Sequence, residues 1–298
     1  MGTDLREQSL SAQRLFELAD VLSGQPISQL CAEGPLDRLT QTEVAQPAVV
    51  VTSLAALAVL REEVDLKPAA VAGHSVGEFA AYVAARVLEP EAALRLVQIR
   101  AQAMAEACAA VDGSMAAVIG LDDAAVHAVC TDASQPDSVV EVANLNSPGQ
   151  VVVSGARDAI DRVSQIVKGR GGRLLPLNVG GPFHSVYMRP AAETLAHALA
   201  ETEFRSARVP VVLNSTAQAT QDPDELRREL EVQLYSPVRW IETVERLAEL
   251  GCDQFLEIGP GQVLSGLVRR TLPTASVANF GAMRDLDEVR SLLQIAVG

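Results

Sequence analysis

Gly73-His74-Ser75-Val76-Gly77-Glu78 follows the short apolar run Ala69-Ala70-Val71-Ala72 and precedes a helix-like stretch, Phe79-Ala80-Ala81-Tyr82-Val83-Ala84-Ala85. A strand, a tight Gly-x-Ser-x-Gly turn and a helix, in that order, lift a serine Oγ above a parallel sheet. Gly73 and Gly77 are expected to remove Cβ atoms where the turn and the helix start press against each other. The helix N-terminus then aims free N–H groups and a partial positive charge at any oxyanion formed on Ser75. An ordinary glycine-rich turn has the same pattern, so the serine reading needs support from the rest of the chain.

Working outward, apolar residues from Gln46 to Arg61 repeat at helical spacing, with Pro47 expected near the first turn. Glu89 to Ala110 reads as a second long helix with Leu94, Val97, Ala101 and Met104 on one stripe. The pattern changes at Val111-Asp112-Gly113. Strands are expected at Ser114–Gly120, Val139–Asn146, Gln150–Ser154 and Arg173–Val179, with helices at Asp122–Ala133 and Ala156–Gly169. That β-α-β-β-α-β order is the ferredoxin-like, split βαβ unit, here inserted into a larger domain. Beyond it the sequence predicts a strand at Val209–Asn214, helices at Asp224–Gln233 and Pro237–Leu250, and strands at Gln254–Ile258 and Ser276–Phe280. The expected architecture is therefore α/β: a large domain from 1–112 and 181–298 with a mostly parallel sheet, interrupted by a ferredoxin-like subdomain at 113–180.

Composition agrees. In a chain of 298 residues that is 48% hydrophobic but only 3% aromatic, Ala, Val and Leu must fill the core, which suits helices packed on a parallel sheet. A formal net charge of −14 argues against nucleic acid or an anionic membrane as the main partner. Cys31, Cys108, Cys130 and Cys252 form no C-x-x-C pair and no metal-ligand spacing with histidine, so they read as reduced thiols of a cytoplasmic protein. The first residues hold no signal-peptide apolar region, and the longest apolar stretch, Ala48–Leu60, reads as too short to span a membrane.

Of the four histidines, His127 and His197 lie in amphipathic helices with no special neighbours. His184, in Gly180-Gly181-Pro182-Phe183-His184-Ser185, follows a predicted strand at the return to the larger domain. On the residues alone it is either a general base on rigid backbone or a turn histidine bonded to a carbonyl.

Together these motifs resemble the malonyl-CoA:acyl carrier protein transacylases of fatty acid synthesis and their polyketide acyltransferase relatives. The resemblance runs from Met1 to the C-terminus. It is carried by Ala45-Gln46-Pro47-Ala48, by the Ser75 hexapeptide, by Arg100 with Met104, and by Asn144-Leu145-Asn146-Ser147-Pro148-Gly149-Gln150. Gly181-Pro182-Phe183-His184-Ser185, Gln233-Leu234-Tyr235-Ser236-Pro237-Val238 and Glu257-Ile258-Gly259-Pro260-Gly261 complete it. It implies a hydrolase-like α/β domain with a ferredoxin-like insertion.

The resemblance also implies Ser75 as nucleophile, His184 as base, the Gln233 backbone carbonyl orienting that base, and Val76 N–H as an oxyanion donor. Arg100 would bind the substrate carboxylate, an assignment the chemistry favours, because an arginine on an apolar helix face is costly to bury unpaired; a structural ion pair is the alternative. Met104 and Asn146 would line the acyl pocket, and His74 would sit beside the elbow without acting as base. The implied partners are malonyl-CoA and an acyl carrier protein, with no metal or tightly bound organic cofactor and a monomeric state. Lys168, Arg170, Arg173, Arg189, Arg269 and Arg270 are candidates for a basic patch facing an acidic carrier. A polyketide or malonate decarboxylase carrier, a non-catalytic docking role and simple hydrolysis are the competing functions. Family members also begin with a strand and a Pro-Gly-Gln-Gly-Ser-Gln-like loop whose glutamine is a second oxyanion donor. Met1-Gly2-Thr3-Asp4 matches the region just beyond it, so the expectation is either a reading frame extending upstream or a rearranged sheet edge.

Overall fold

A computed structural model describes residues 1–293. Five helices open the chain: α1 (Thr3–Gln8), α2 (Leu10–Ser23), α3 (Ile27–Glu33), α4 (Leu36–Leu39) and α5 (Thr42–Glu63). Then come β1 (Val71–Ala72), α6 (Gly77–Ala84) and α7 (Pro90–Ala109). The middle of the chain runs β2 (Gly113–Ile119), α8 (Asp123–Ala133), β3 (Val140–Ser147), β4 (Gln150–Ala156), α9 (Arg157–Gly169) and β5 (Arg173–Pro176). It continues through α10 (Arg189–Glu201), β6 (Val211–Val212), β7 (Ala219–Thr220), α11 (Pro223–Val232) and α12 (Trp240–Glu249). The last elements are β8 (Gln254–Ile258), α13 (Val263–Thr271), β9 (Ser276–Phe280) and α14 (Leu286–Leu292). The fold is α/β, with helices packed on mixed sheets.

α5 starts earlier than the periodicity suggested, so Pro47 lies inside the helix rather than in its first turn. At 22 residues α5 is long and apolar enough to cross a membrane, which corrects the expectation from Ala48–Leu60 alone. Most of it is buried, against α2, α6 and α7. α7 begins at Pro90, whose missing N–H costs nothing at a helix start. α8 is capped by Asp122, whose carboxylate accepts from Ala125 N–H at 2.7 Å.

β2 to β5 form one antiparallel sheet in the order β3-β4-β2-β5. Alternate residues such as Val118, Val142, Val151 and Val153 pack on Val126 and Val129 of α8 and on Ile160 and Val163 of α9. The β3–β4 register shifts twice, leaving Ala143 and Asn146 without ladder partners. Hydrogen bonds from Leu145 N–H to Val238 O and from Val238 N–H to Ala143 O tie this sheet to the segment before α12.

The remaining strands depart from the expected single, mostly parallel sheet. β1 pairs in parallel with β6, Val71 opposite Val211, and β7 pairs antiparallel with β6. β8 and β9 form a separate parallel pair, Gln254 opposite Ser276. Between β1 and β8 lies an apolar cavity of about 390 Å³, lined by Val49, Ser53, Val71, Ile258, Leu264 and others. β1 and β6 are also shorter than their apolar runs, because only residues 71–72 and 211–212 find a ladder partner.

Candidate active site

The parallel pair β1–β6 ends at the site, where strand ends and helix starts converge. After β1 the chain turns through Gly73 to Val76 into α6, and Ser75 holds φ 51°, a left-handed conformation uncommon for a non-glycine residue. A Cβ on Gly73 would lie 2.1 Å from the carbonyl carbon of Gly77, so only glycine fits there. Gly77 differs from expectation: a Cβ there would meet nothing within 4 Å. Ser75 N–H donates to Asn214 Oδ1 at 2.7 Å, and Gly77 N–H donates to His74 O. Val76 N–H has no hydrogen-bond partner among the described residues and is free to meet an oxyanion.

His184 also has a left-handed backbone, φ 56°, and is only 4% exposed. Its Nε2 lies 2.8 Å from Ser75 Oγ. Its Nδ1 faces two carbonyls, Gln233 O at 2.8 Å and Ser236 O at 3.2 Å. Carbonyls only accept, so Nδ1 carries the proton and Nε2 presents its lone pair to the serine. Burial, with the Arg100 charge second, pushes the imidazole pKa down to about 3, so at rest it is neutral.

Arg100 is 1% exposed, on the buried face of α7. Its Nη1 donates to Gln46 Oε1, and its Nη2 donates to Ser75 Oγ and Gln233 Oε1, both at 3.2 Å. All three acceptors are neutral, and Nε is buried without a partner. The structural ion pair that the residues allowed is therefore absent among the described residues. Burial lowers the pKa of Arg100 to about 10, which leaves it charged at neutral pH. A buried cation held only by amides and a hydroxyl can take an anionic partner.

His74 Nε2 bonds Asn146 Oδ1 at 2.8 Å, and its ring tilts against Trp240 with centroids 5.3 Å apart. It is fixed beside the elbow and does not reach the serine. Burial lowers its pKa as well. His74, Val76 and Asn146 all border the apolar cavity, whose wall includes neither Ser75, His184 nor Arg100. Met104 is 1% exposed and does not open onto a free surface; it lies beneath Gln46, whose Nε2 is 3.4 Å from its sulfur. Among the basic residues, Arg170 pairs with Asp132 at 3.0 Å, Arg270 donates to Gln150, and Arg189 stacks over the Tyr235 ring at 4.5 Å.

Sequence reasoning gave no role to Gln46, Glu78 or Asn214. Glu78 and Asn214 are wholly buried, and Gln46 is 9% exposed. A polar residue inside an apolar run is the signal for Gln46, and an acid at the start of an alanine-rich helix is the signal for Glu78. Nothing in the sequence around Asn214 marks it.

A serine with a histidine base and a free amide beside it can carry an acyl group as an ester. Residues 1–294 match the family described as "Acyl transferase domain", and the chain belongs to that family. More particularly, it is 41% identical over 283 residues to a malonyl CoA-acyl carrier protein transacylase of Bacillus subtilis, covering 94% of this chain and 89% of the relative. Its counterpart in Escherichia coli K12 is 39% identical over 279 residues, covering 93% and 90%. The crystal structure of an acyl carrier protein S-malonyltransferase from Vibrio cholerae superposes with TM-score 0.92 at 41% identity, covering 97% of this chain and 94% of that one. A malonyl-transacylase solved in complex with its type II PKS acyl-carrier protein gives TM-score 0.92 at 38% identity, covering 99% and 94%.

Proposed function

We propose that this protein transfers a malonyl group from coenzyme A to the phosphopantetheine thiol of an acyl carrier protein, through a malonyl ester on Ser75. The observation that carries this reading is Arg100: a buried guanidinium with only neutral acceptors, one bond from the nucleophile. A malonyl chain on Ser75 brings its free carboxylate to that cation, and the bidentate match favours malonyl over acetyl. Simple hydrolysis gives Arg100 no comparable task, and a docking role gives Ser75 and His184 none.

Ser75 Oγ attacks the thioester carbonyl carbon while its proton passes to His184 Nε2. The oxyanion faces Val76 N–H, and the Gln233 carbonyl holds the imidazolium through Nδ1–H. Collapse expels the coenzyme A sulfur, which takes the proton back from His184. The carrier thiol then gives its proton to His184 and attacks the ester carbonyl carbon; collapse breaks the bond to Ser75 Oγ, which takes the proton back from His184. His74 and Asn146 support the turn and the acyl side of the site, with Met104 behind Gln46.

Several finer statements belong to the same proposal. The large part, 1–112 and 181–298, is read as a hydrolase-like domain, and 113–180 as a ferredoxin-like subdomain; the β3-β4-β2-β5 order with two helices on one face supports the latter. The reaction calls for no metal or organic cofactor. The protein is taken as a cytoplasmic monomer that meets neither nucleic acid nor membrane; its charge of −14 supports the part of this that concerns nucleic acid and anionic membranes.

The test is mass spectrometry after incubation with malonyl-CoA. A malonyl adduct on the peptide holding Ser75, lost in Ser75→Ala and then transferred to a carrier, is the expected result. An adduct that persists in Ser75→Ala overturns the assignment. His184→Ala is expected to slow acylation by about two to four orders of magnitude.

A further inference from the structure

Beneath the nucleophile turn sits a carboxylate that the reaction above does not use. Glu78, in the first turn of α6, is wholly buried. Its Oε1 accepts from Asn214 N–H at 2.8 Å and from Asn214 Nδ2 at 2.7 Å, and its Oε2 accepts from Gln233 Nε2 at 2.8 Å. Every neighbour within hydrogen-bond reach is a donor, so the group is held as an acceptor.

Each of the two amides it grips carries part of the catalytic apparatus. Asn214 Nδ2 also donates to Gly73 O, and its Oδ1 receives the Ser75 N–H. The Gln233 amide turns its Oε1 to Arg100 Nη2, while its backbone carbonyl receives His184 Nδ1. An amide side chain has a donor end and an acceptor end, and nothing in its shape decides which way round it sits. For Asn214 the Gly73 carbonyl and the Ser75 N–H set the same orientation. For Gln233 the shorter of two acceptors is Glu78 Oε2 at 2.8 Å, the other being Ser75 O at 3.3 Å, so the carboxylate is the main group that turns the Gln233 carbonyl toward Arg100. When ionised the same carboxylate favours the charged form of Arg100, while burial first and the Glu229 charge second push its own pKa well above the usual carboxylate range.

The geometry points to Glu78 as a positioning residue that fixes the Gln233 side chain toward Arg100 and thereby sets the preference for a carboxylate-bearing acyl group. This rests on the malonyl transfer proposed above. Glu229 plays no equivalent part: its oxygens accept from Ser215 N–H and Ser215 Oγ and reach neither Arg100 nor Gln233.

Glu78→Gln separates the two halves of the network. Its Oε1 keeps both Asn214 donors, so the Ser75 turn stays braced. Its new NH2 group faces Gln233 Nε2, donor against donor, and the Gln233 amide is expected to rotate, giving up its longer bond to Ser75 O at 3.3 Å. Rotation aims an NH2 at Arg100 and removes the Nη2 acceptor. The expected result is a malonyl-to-acetyl ratio of kcat/KM lowered by about tenfold or more, since one hydrogen bond to a charged group is at stake. In an Arg100→Ala background the same substitution is expected to leave that ratio unmoved, because the arginine it acts through is gone. A role confined to folding would lower both acyl activities in proportion and leave the ratio where it was.

The assay measures wild type, Glu78→Gln, Arg100→Ala and the double variant with malonyl-CoA and acetyl-CoA, following the ester on Ser75. A lowered ratio that vanishes in the Arg100→Ala background supports the inference. An unchanged ratio in a malonylated, folded Glu78→Gln overturns it while the transfer function stands. Absence of any malonyl adduct in wild type overturns both. If Glu78→Gln does not fold, Gln233→Leu breaks the same chain one link on and keeps the backbone carbonyl for His184; the same fall in ratio is expected, and an unchanged ratio overturns the inference.

Discussion

His184, the proposed general base, offers the sharpest measurement. Lowering the pH should leave acylation of Ser75 by malonyl-CoA almost unaffected over a range where an ordinary histidine would fail. His184 is pushed down to about 3 by burial first and by the Arg100 charge second. At about pH 5 a base with the ordinary pKa of about 6.5 is only about 3% neutral, whereas one at about 3 is about 99% neutral, a difference of about thirtyfold in competent enzyme. The readout is kcat/KM for the malonyl ester at subsaturating malonyl-CoA, followed by quenched-flow mass spectrometry, because that parameter reports the free enzyme. A profile flat from neutral pH to about pH 5 is expected. The same depression has a stability counterpart. The folded pKa lies below the unfolded one, so the unfolded chain binds the extra proton. Stability is therefore lost as pH falls below about 6.5, at about 1.4 kcal/mol per pH unit and by about 2 kcal/mol at about pH 5. Removing the nearby cation should raise the midpoint, so Arg100→Ala shifts the acid limb toward neutrality. A wild-type profile with its midpoint near about 6.5 would refute both the burial and the Arg100 arguments.

Arg100→Ala should lower malonyl transfer while acetyl transfer holds or rises, because the uncompensated charge that disfavoured a methyl group is gone; equal losses in paired kinetics would make Arg100 structural. Gly73→Ala should lower the melting temperature steeply or prevent folding, since its Cβ would lie 2.1 Å from the Gly77 carbonyl carbon, and overpacking of this kind costs about 1–3 kcal/mol or more. Gly77→Ala, with open space around the added Cβ, should be neutral or more stable by about 0.4–1 kcal/mol. Thermal unfolding of the two variants side by side checks this contrast, and equal melting temperatures would contradict it.

How far the sequence could be read depended on whether a residue's partners were local. Ser75, His184 and Arg100 could be singled out as candidates, the first two by glycine and proline punctuation and the third by a charge on an apolar helical stripe. The residues alone left a plain turn or a structural ion pair open, and only the family resemblance joined them into one site. β9 and β8 match their expected spans, and α7 differs by a residue at each end. The strand at Val209–Asn214 shrank to two residues because strand length follows the partner, and the helix expected from Pro237 starts only at Trp240. The separation of β8–β9 from β1–β6 was not legible at all, since apolar runs do not state their neighbours. Asn214 is the clearest omission. A lone asparagine after a strand looks like a turn residue, and its two bonds to the elbow join positions far apart in the chain.

A base at about 3 poses a difficulty, because general-base catalysis is most effective when the pKa lies near the working pH. The site contains the means to correct it. Of the causes that weaken His184, burial is permanent, but the second is the charge on Arg100, whose hydrogen-bond acceptors are all neutral. On the proposed function, a malonyl carboxylate seated on Arg100 would cancel that charge and withdraw the second cause, so His184 would strengthen as a base when this class of substrate is bound. Acetyl-CoA brings no carboxylate and leaves the histidine weak. Selectivity would then be expressed twice by one arginine, in binding through the guanidinium and in the chemical step through the imidazole. That double use accounts for an arrangement that is otherwise costly, a buried cation one hydrogen bond from a nucleophile whose base it suppresses.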